Sequence, residues 1–181
     1  MGRVYEAIDD RLGSWLAAQP VFFVATAPAG HEGHVNLSPK GGAGTFAVLG
    51  PHRVAYLDLT GSGAETIAHI RDNGRVTIMC CAFDGPPRIV RLYGRGLVVL
   101  PGDSGFSDLI GLFPAKDGTR SVIVVDVERI ADSCGYGVPR MPFERHRDNL
   151  DHWAAQKTPA ELTDYRAGKN AVSIDGLPAL A

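Results

Sequence analysis

The sequence predicts a mainly β protein, a six-stranded antiparallel sheet closed into a small barrel with N-terminal, crossover and C-terminal helices. Three observations carry this. Runs rich in Val, Ile and aromatic residues recur between residues 21 and 130. Most are joined by hairpin-length segments, and only one or two connections are long enough for a helical crossover. The 181 residues include 22 glycines and 12 prolines, above ordinary usage of about 7% and 5%, which implies many turns.

In chain order, Ile8, Leu12, Trp15 and Leu16 form one apolar stripe, predicting a helix over residues 5–18 that Pro20 stops. Val21 to Ala27 is β-branched and aromatic. After the turn residues Pro28 to Gly33, His34 to Ser38 alternates apolar and polar side chains, so the two runs read as a hairpin, with Pro39 ending the pairing. A third strand, Arg53 to Leu59, runs through Thr60-Gly61-Ser62-Gly63 into a short helix from Ala64 to Asn73, stopped by Gly74. Further strands are expected at Arg75 to Phe83, Arg88 to Leu100 and Ser121 to Ile130, with a short helix around Ser104 to Phe113. Beyond the Cys134-to-Pro139 loop the composition shifts, and Phe143 to Gln156 and Pro159 to Ala167 read as charge-rich helices. The expected organisation is a barrel domain over residues 1–140 and a helical tail over 141–181, docked through Trp153, Leu162 and Tyr165 on the barrel or on a dimer partner.

Composition narrows the function classes. Eighteen Lys and Arg against 20 Asp and Glu give a net charge of −2, which offers no field for nucleic acid or an anionic membrane. No window approaches about 18 uninterrupted apolar residues, and the N-terminus lacks a signal-peptide pattern. Cys80 and Cys81 are sequence neighbours in an apolar run and Cys134 stands alone, so a reducing cytoplasm is expected rather than a disulfide framework. His31 and His34, and His146 and His152, lack the spacing of a metal motif, and no metal site is expected.

Three segments could carry chemistry. In the Leu57-to-Thr66 segment a strand passes through small residues straight into a helix. Free amides there, with the hydroxyls of Thr60, Ser62 and Thr66, can hold a phosphate, although Ser62 could simply cap the helix. In Asn36-Leu37-Ser38-Pro39-Lys40, the lysine could reach a phosphate as a point charge and the strand backbone could face a flat ring. In Arg88-Ile89-Val90-Arg91-Leu92-Tyr93-Gly94-Arg95, period-two alternation puts Arg88 on one face and Arg91 and Arg95 on the other. Asp58 is a strand-end acid without a paired carboxylate that would suggest acid–base hydrolysis.

The order and spacing of Val35-Asn36-Leu37-Ser38-Pro39-Lys40, Val54-Ala55-Tyr56-Leu57-Asp58, the small turn and helix, Asp72-Asn73-Gly74-Arg75-Val76-Thr77 and Arg88-to-Gly94 resemble the flavin-binding split barrels related to pyridoxamine 5′-phosphate oxidase. The resemblance covers Pro20 to about Arg129. It implies a split β-barrel of the flavin mononucleotide (FMN)-binding type and a homodimer with sites at the subunit interface. Asn36, Leu37, Ser38 and Pro39 would line the ring, Lys40, Thr60, Ser62 and Thr66 would approach the phosphate, and Asp58 would belong to the cofactor-binding set. Arg88 or Arg91 would come from the partner chain.

The implied activity is oxidoreduction of a small organic substrate. The alternatives are an F420-dependent reductase or a non-catalytic binder of flavin (FMN or FAD) or haem on the same barrel. Members often carry a basic residue at the start of the helix after the third strand, where this chain has Gly63-Ala64-Glu65; Glu65 would repel a phosphate unless its side chain turns away. The tail also lacks the Arg- and His-containing segment with which the true vitamin oxidases hold their substrate, which implies a different substrate here.

Overall fold

Residues 2–180 are described by the computed structural model, so Met1 and Ala181, the outermost residues of the two expected segments, lie outside the described residues. The chain runs β1 (Val4–Tyr5), α1 (Asp10–Ala17), β2 (Val21–Thr26), β3 (Asn36–Gly41), β4 (Phe46–Gly50), β5 (Arg53–Leu59), α2 (Glu65–Asn73), β6 (Arg75–Cys81), β7 (Ile89–Val99), α3 (Phe106–Ile110), β8 (Thr119–Ser133), α4 (Asn149–Ala155) and α5 (Pro159–Lys169). The strands form one sheet in the order β3-β2-β6-β7-β8-β5-β4, with β1 paired to the end of β8, and every pairing is antiparallel. The sheet curls into the expected barrel, split between its edge strands β3 and β4. It has eight strands among the described residues rather than six.

The two extra strands explain themselves locally. Val4–Tyr5 is a two-residue pairing with Ile130 and Ala131. The expected helix therefore begins at Asp10, where the Asp9 carboxylate accepts a hydrogen bond from the Leu12 amide at 2.7 Å. Phe46–Gly50 is half-buried throughout, with no alternation to announce it. Strand β3 lies two to three residues further along than its pattern suggested and runs through Pro39, which pairs opposite Phe23. Proline is tolerated there because β3 is an edge strand and owes no N–H to a further neighbour.

One core fills the barrel, built from Leu12 and Leu16 of α1, Phe22, Tyr56, Ile78, Leu92 and Ile123 of the sheet, and Ile67 of α2. A second lies outside β5 and β8, where Leu57, Val122 and Val124 meet Phe113 and the α3 region. Helix α2 ends at Gly74, which takes φ 74°, a conformation glycine adopts without strain. The helix seats on β7 at Gly96, where a Cβ would come within 2.7 Å of Ile70 Cδ1.

Residues 143–148, expected to be helical, have no regular structure and are exposed. They bury no apolar face, and a short helix without packing is marginal in water. By contrast α5 has a complete capping box between Thr158 and Glu161, with proline in its first turn. Among the described residues, no helix is long and apolar enough to cross a membrane.

Candidate functional site

Strand β3 turns Asn36, Ser38 and Lys40 toward the barrel seam and leaves Leu37 and Pro39 outward, Leu37 being 62% exposed. Lys40 Nζ reaches across the split to Asp58 Oδ1 of β5 at 3.1 Å. Asp58 is fully buried. It also accepts two hydrogen bonds from Arg120 (2.7 Å from Nε, 3.2 Å from Nη2) and one from Ser121 Oγ at 3.1 Å. Burial alone would push its carboxyl upward, but Lys40 and Arg120 together hold it below the ordinary carboxylate value.

The first amides of α2 have no intrahelical acceptors, and no side chain caps them, because the N-cap residue is Ala64 rather than Ser62. They open onto a hollow of about 230 Å³ lined by Ser38, Lys40, Gly61, Gly63, Thr66 and Arg120 among others. Thr66 Oγ1 accepts from Asn36 Nδ2 at 3.1 Å, which leaves its own hydroxyl proton free to donate. Asn36 is fixed in turn by Ser38 Oγ at 2.8 Å and by Thr26, whose hydroxyl meets His69 Nδ1 at 3.0 Å.

Glu65 also lines this hollow, and its carboxylate folds back over Gly63, where any side chain would collide with it. Arg166 of α5 lies behind the turn. Burial, and then the charge of Arg120, lower its pKa. Lys40 and Arg120 are both paired with Asp58, and the Glu65 carboxylate stands in the same hollow. A lysine, an arginine, a free helix N-terminus and a hydroxyl converge on one small hollow, a donor set suited to a phosphate.

Of the residues expected at the phosphate end, Lys40 and Thr66 meet in this hollow, with Ser38 beside them. The others, and Asp58 of the cofactor-binding set, stand elsewhere. Asp58 anchors the two cations from beneath and presents no free edge. Thr60 is buried, donating to the Gly118 carbonyl at 2.7 Å and accepting from Arg166 Nε at 2.9 Å, so its hydroxyl is already committed. Ser62 is exposed and caps nothing.

Arg88 precedes β7, stacks over Trp15 at 4.9 Å and donates to Tyr5 Oη at 2.8 Å. Arg91 points outward from β7 and donates to Ser133 Oγ at 3.1 Å. Among the described residues neither is hydrogen-bonded to Lys40, and neither lines the hollow. Arg120 was not anticipated. Its signal is a lone arginine opening the run Ser121 to Val127, and it stands 62 positions from the aspartate that holds it.

A larger cleft of about 1080 Å³ adjoins the hollow, and Pro39 and Leu59 line both. Val21 and Phe23 of β2 form part of its floor, and Met141, Phe143 and Leu150 part of its opposite wall.

Fold and site together define an antiparallel split-barrel protein with a hollow at the uncapped N-terminus of its crossover helix, lined by Lys40 and Arg120. Residues 8–134 match the family model for pyridoxamine 5′-phosphate oxidase. A pyridoxamine 5′-phosphate oxidase family protein of Aspergillus flavus, ustO, is 41% identical over 193 aligned positions, spanning 97% of this chain and 77% of that protein. The chain belongs to the pyridoxamine 5′-phosphate oxidase family.

Solved structures share the fold at low identity. HupZ of Group A Streptococcus superposes with a TM-score of 0.52 at 21% identity, over 68% of this chain and 91% of that one. An FAD-binding protein from Mesorhizobium loti gives 0.51 at 16%, over 73% and 96%.

Proposed function

We propose that the protein is an FMN-dependent oxidoreductase, acting as a homodimer on a small organic molecule. The observation that carries this reading is the hollow at the start of α2, where Lys40, Arg120, Thr66 and free helix amides converge. A flavin seated there has its phosphate against these donors and its ring directed past Pro39 and Leu59 into the larger cleft. The missing basic residue at the helix start is replaced from β8, since Arg120 brings a guanidinium to the same turn and donates to the Gly63 carbonyl at 2.9 Å.

A terminal phosphate, as FMN carries, needs only the one donor cluster that lines this hollow. The FAD-binding protein from Mesorhizobium loti supports a flavin on this fold and leaves FAD as the competing ligand. When bound, a flavin supplies the hydride chemistry itself; the protein binds it, orients a substrate and excludes side reactions.

The test is the absorption spectrum of the purified protein, as isolated and again after incubation with FMN and desalting, followed by addition of NADH or NADPH and an acceptor. A retained flavin spectrum that bleaches and recovers is the expected result. A deazaflavin or haem spectrum, or no retained chromophore, overturns the reading, and a flavin that never turns over reduces it to a binding protein. In the same assay Lys40→Ala should weaken FMN by about 1.5–3 kcal/mol, the range for a hydrogen bond to a charged group.

A further inference from the structure

The family match ends at residue 134, yet the chain beyond it reaches the hollow from behind. Asn170, just after α5, is fully buried, and its Nδ2 donates to the Gly61 carbonyl at 2.9 Å and lies 3.5 Å from that of Ser62. Arg166, one helical turn earlier, donates from Nε to Thr60 Oγ1 and from Nη2 to the Thr119 carbonyl, each at 2.9 Å. Neither residue lines the hollow, whereas Gly61 and Gly63 do.

We propose that Asn170 and Arg166 are positioning residues, which hold the Thr60–Gly63 turn in the shape that receives a phosphate. The proposal rests on the reading that a flavin phosphate occupies the hollow. In a planar trans peptide the N–H points opposite to the C=O. Drawing the Gly61 and Ser62 carbonyls toward Asn170 therefore turns the Ser62 and Gly63 amides away from the tail, and Gly63 lines the hollow.

Asn170 is itself tied down. Its amide donates to the Arg166 carbonyl at 2.8 Å, and its carbonyl accepts from Leu180 at 3.0 Å. The orientation of its side chain is fixed by the two carbonyls it faces, because the flipped amide would set oxygen against oxygen. Its Oδ1 is buried without a partner. A buried polar side chain satisfied on one side alone is ordinarily selected against, so this asparagine is explained by its donation to the turn. Farther along, the tail is pinned by Arg71 to the Ala179 carbonyl and by His34 to Asp175 at 2.7 Å. The strap thus spans from the turn to the far end of α2.

The experiment compares dissociation constants for FMN and for riboflavin, which has the same ring and side chain without the phosphate. It uses the full-length wild type, Asn170→Ala and Asn170→Gln, and includes the thermal midpoint of each protein without ligand. Asn170→Ala changes no charge, so it leaves the field of Lys40 and Arg120 intact. It should weaken FMN about tenfold and leave riboflavin unchanged, and Asn170→Gln should recover part of the loss. Equal weakening of both ligands, or of neither, would overturn the positioning role. Should the alanine variant fail to fold, Asn170→Ser is read by the same ratio. If the wild type itself binds FMN and riboflavin equally, the phosphate is not in this hollow, and both the reading and the proposal fall. A preference for FMN that stays undiminished in Asn170→Ala sinks the proposal alone.

Discussion

Asp58 shows how one buried side chain organises the site without touching a ligand. Its carboxylate holds Lys40 and Arg120 together from beneath, and removing the charge would leave two cations side by side in a buried setting. Because its folded pKa lies below the ordinary 3.8, the stability it contributes is present above that value and is lost as pH falls through the folded value. The urea midpoint should therefore drop steeply below about pH 4. In the Asp58→Asn variant that acid-dependent step should shrink, while stability at neutral pH falls by about 3–5 kcal/mol. An unchanged acid limb in the variant would assign the loss to exposed carboxylates such as Asp72 and Glu161, whose pairs are screened by solvent. Two residues earlier, Tyr56 is fully buried in edge contact with Phe22 at 5.4 Å, and its hydroxyl has no partner. Tyr56→Phe should consequently hold or raise the thermal midpoint. A loss above about 1 kcal/mol would mean that the hydroxyl is satisfied.

At the scale of elements, legibility tracked how local the determining contact is. The β2 and β6–β8 strands are legible because Val and Ile runs report burial directly, and α2 because Gly74 punctuates it. Strand β4 was invisible because its half-buried residues do not alternate, and β1 because two residues carry no period. At the site, the alternation that puts Asn36 and Ser38 on one face is legible, whereas Lys40 joins that face only because the edge strand runs on through Pro39. Arg120, Arg166 and Asn170 could not be read in advance, since each acts on a turn 57 to 109 positions away. The placement of α2 depends on such a contact as well, since the helix lies on β7 only because Gly96 leaves room for Ile70. Gly96→Val should overpack this seam and cost about 1–3 kcal/mol. Because the helix start forms part of the hollow, FMN affinity should fall together with stability. A stable Gly96→Val protein that keeps full FMN affinity would show that the helix start is positioned independently of this seam.

For the whole molecule, the outward face of β7 is hard to reconcile with a solitary chain. Arg91, Tyr93, Arg95 and Leu97 alternate with the buried residues of the strand, and Leu97 and Tyr93 are 55% and 38% exposed. On the edge strand side, Leu37 and the adjoining Val35 are exposed as well, Val35 at 74%. Large apolar side chains grouped on sheet faces, with arginines among them, have the composition of an interface rather than of a solvated surface. Sedimentation at micromolar concentration should accordingly return a particle of twice the 19.3 kDa chain. Leu97→Asp removes no contact within the chain, so it should shift the particle toward monomer and lower the thermal midpoint only by the stabilisation that dimer formation supplied. If the partner completes the flavin site, FMN affinity in that variant should depend on protein concentration, recovering as dimer re-forms. A monomeric Leu97→Asp protein that binds FMN as tightly as the wild type would place the whole site within one chain, and Arg88 and Arg91 would then have no part in it.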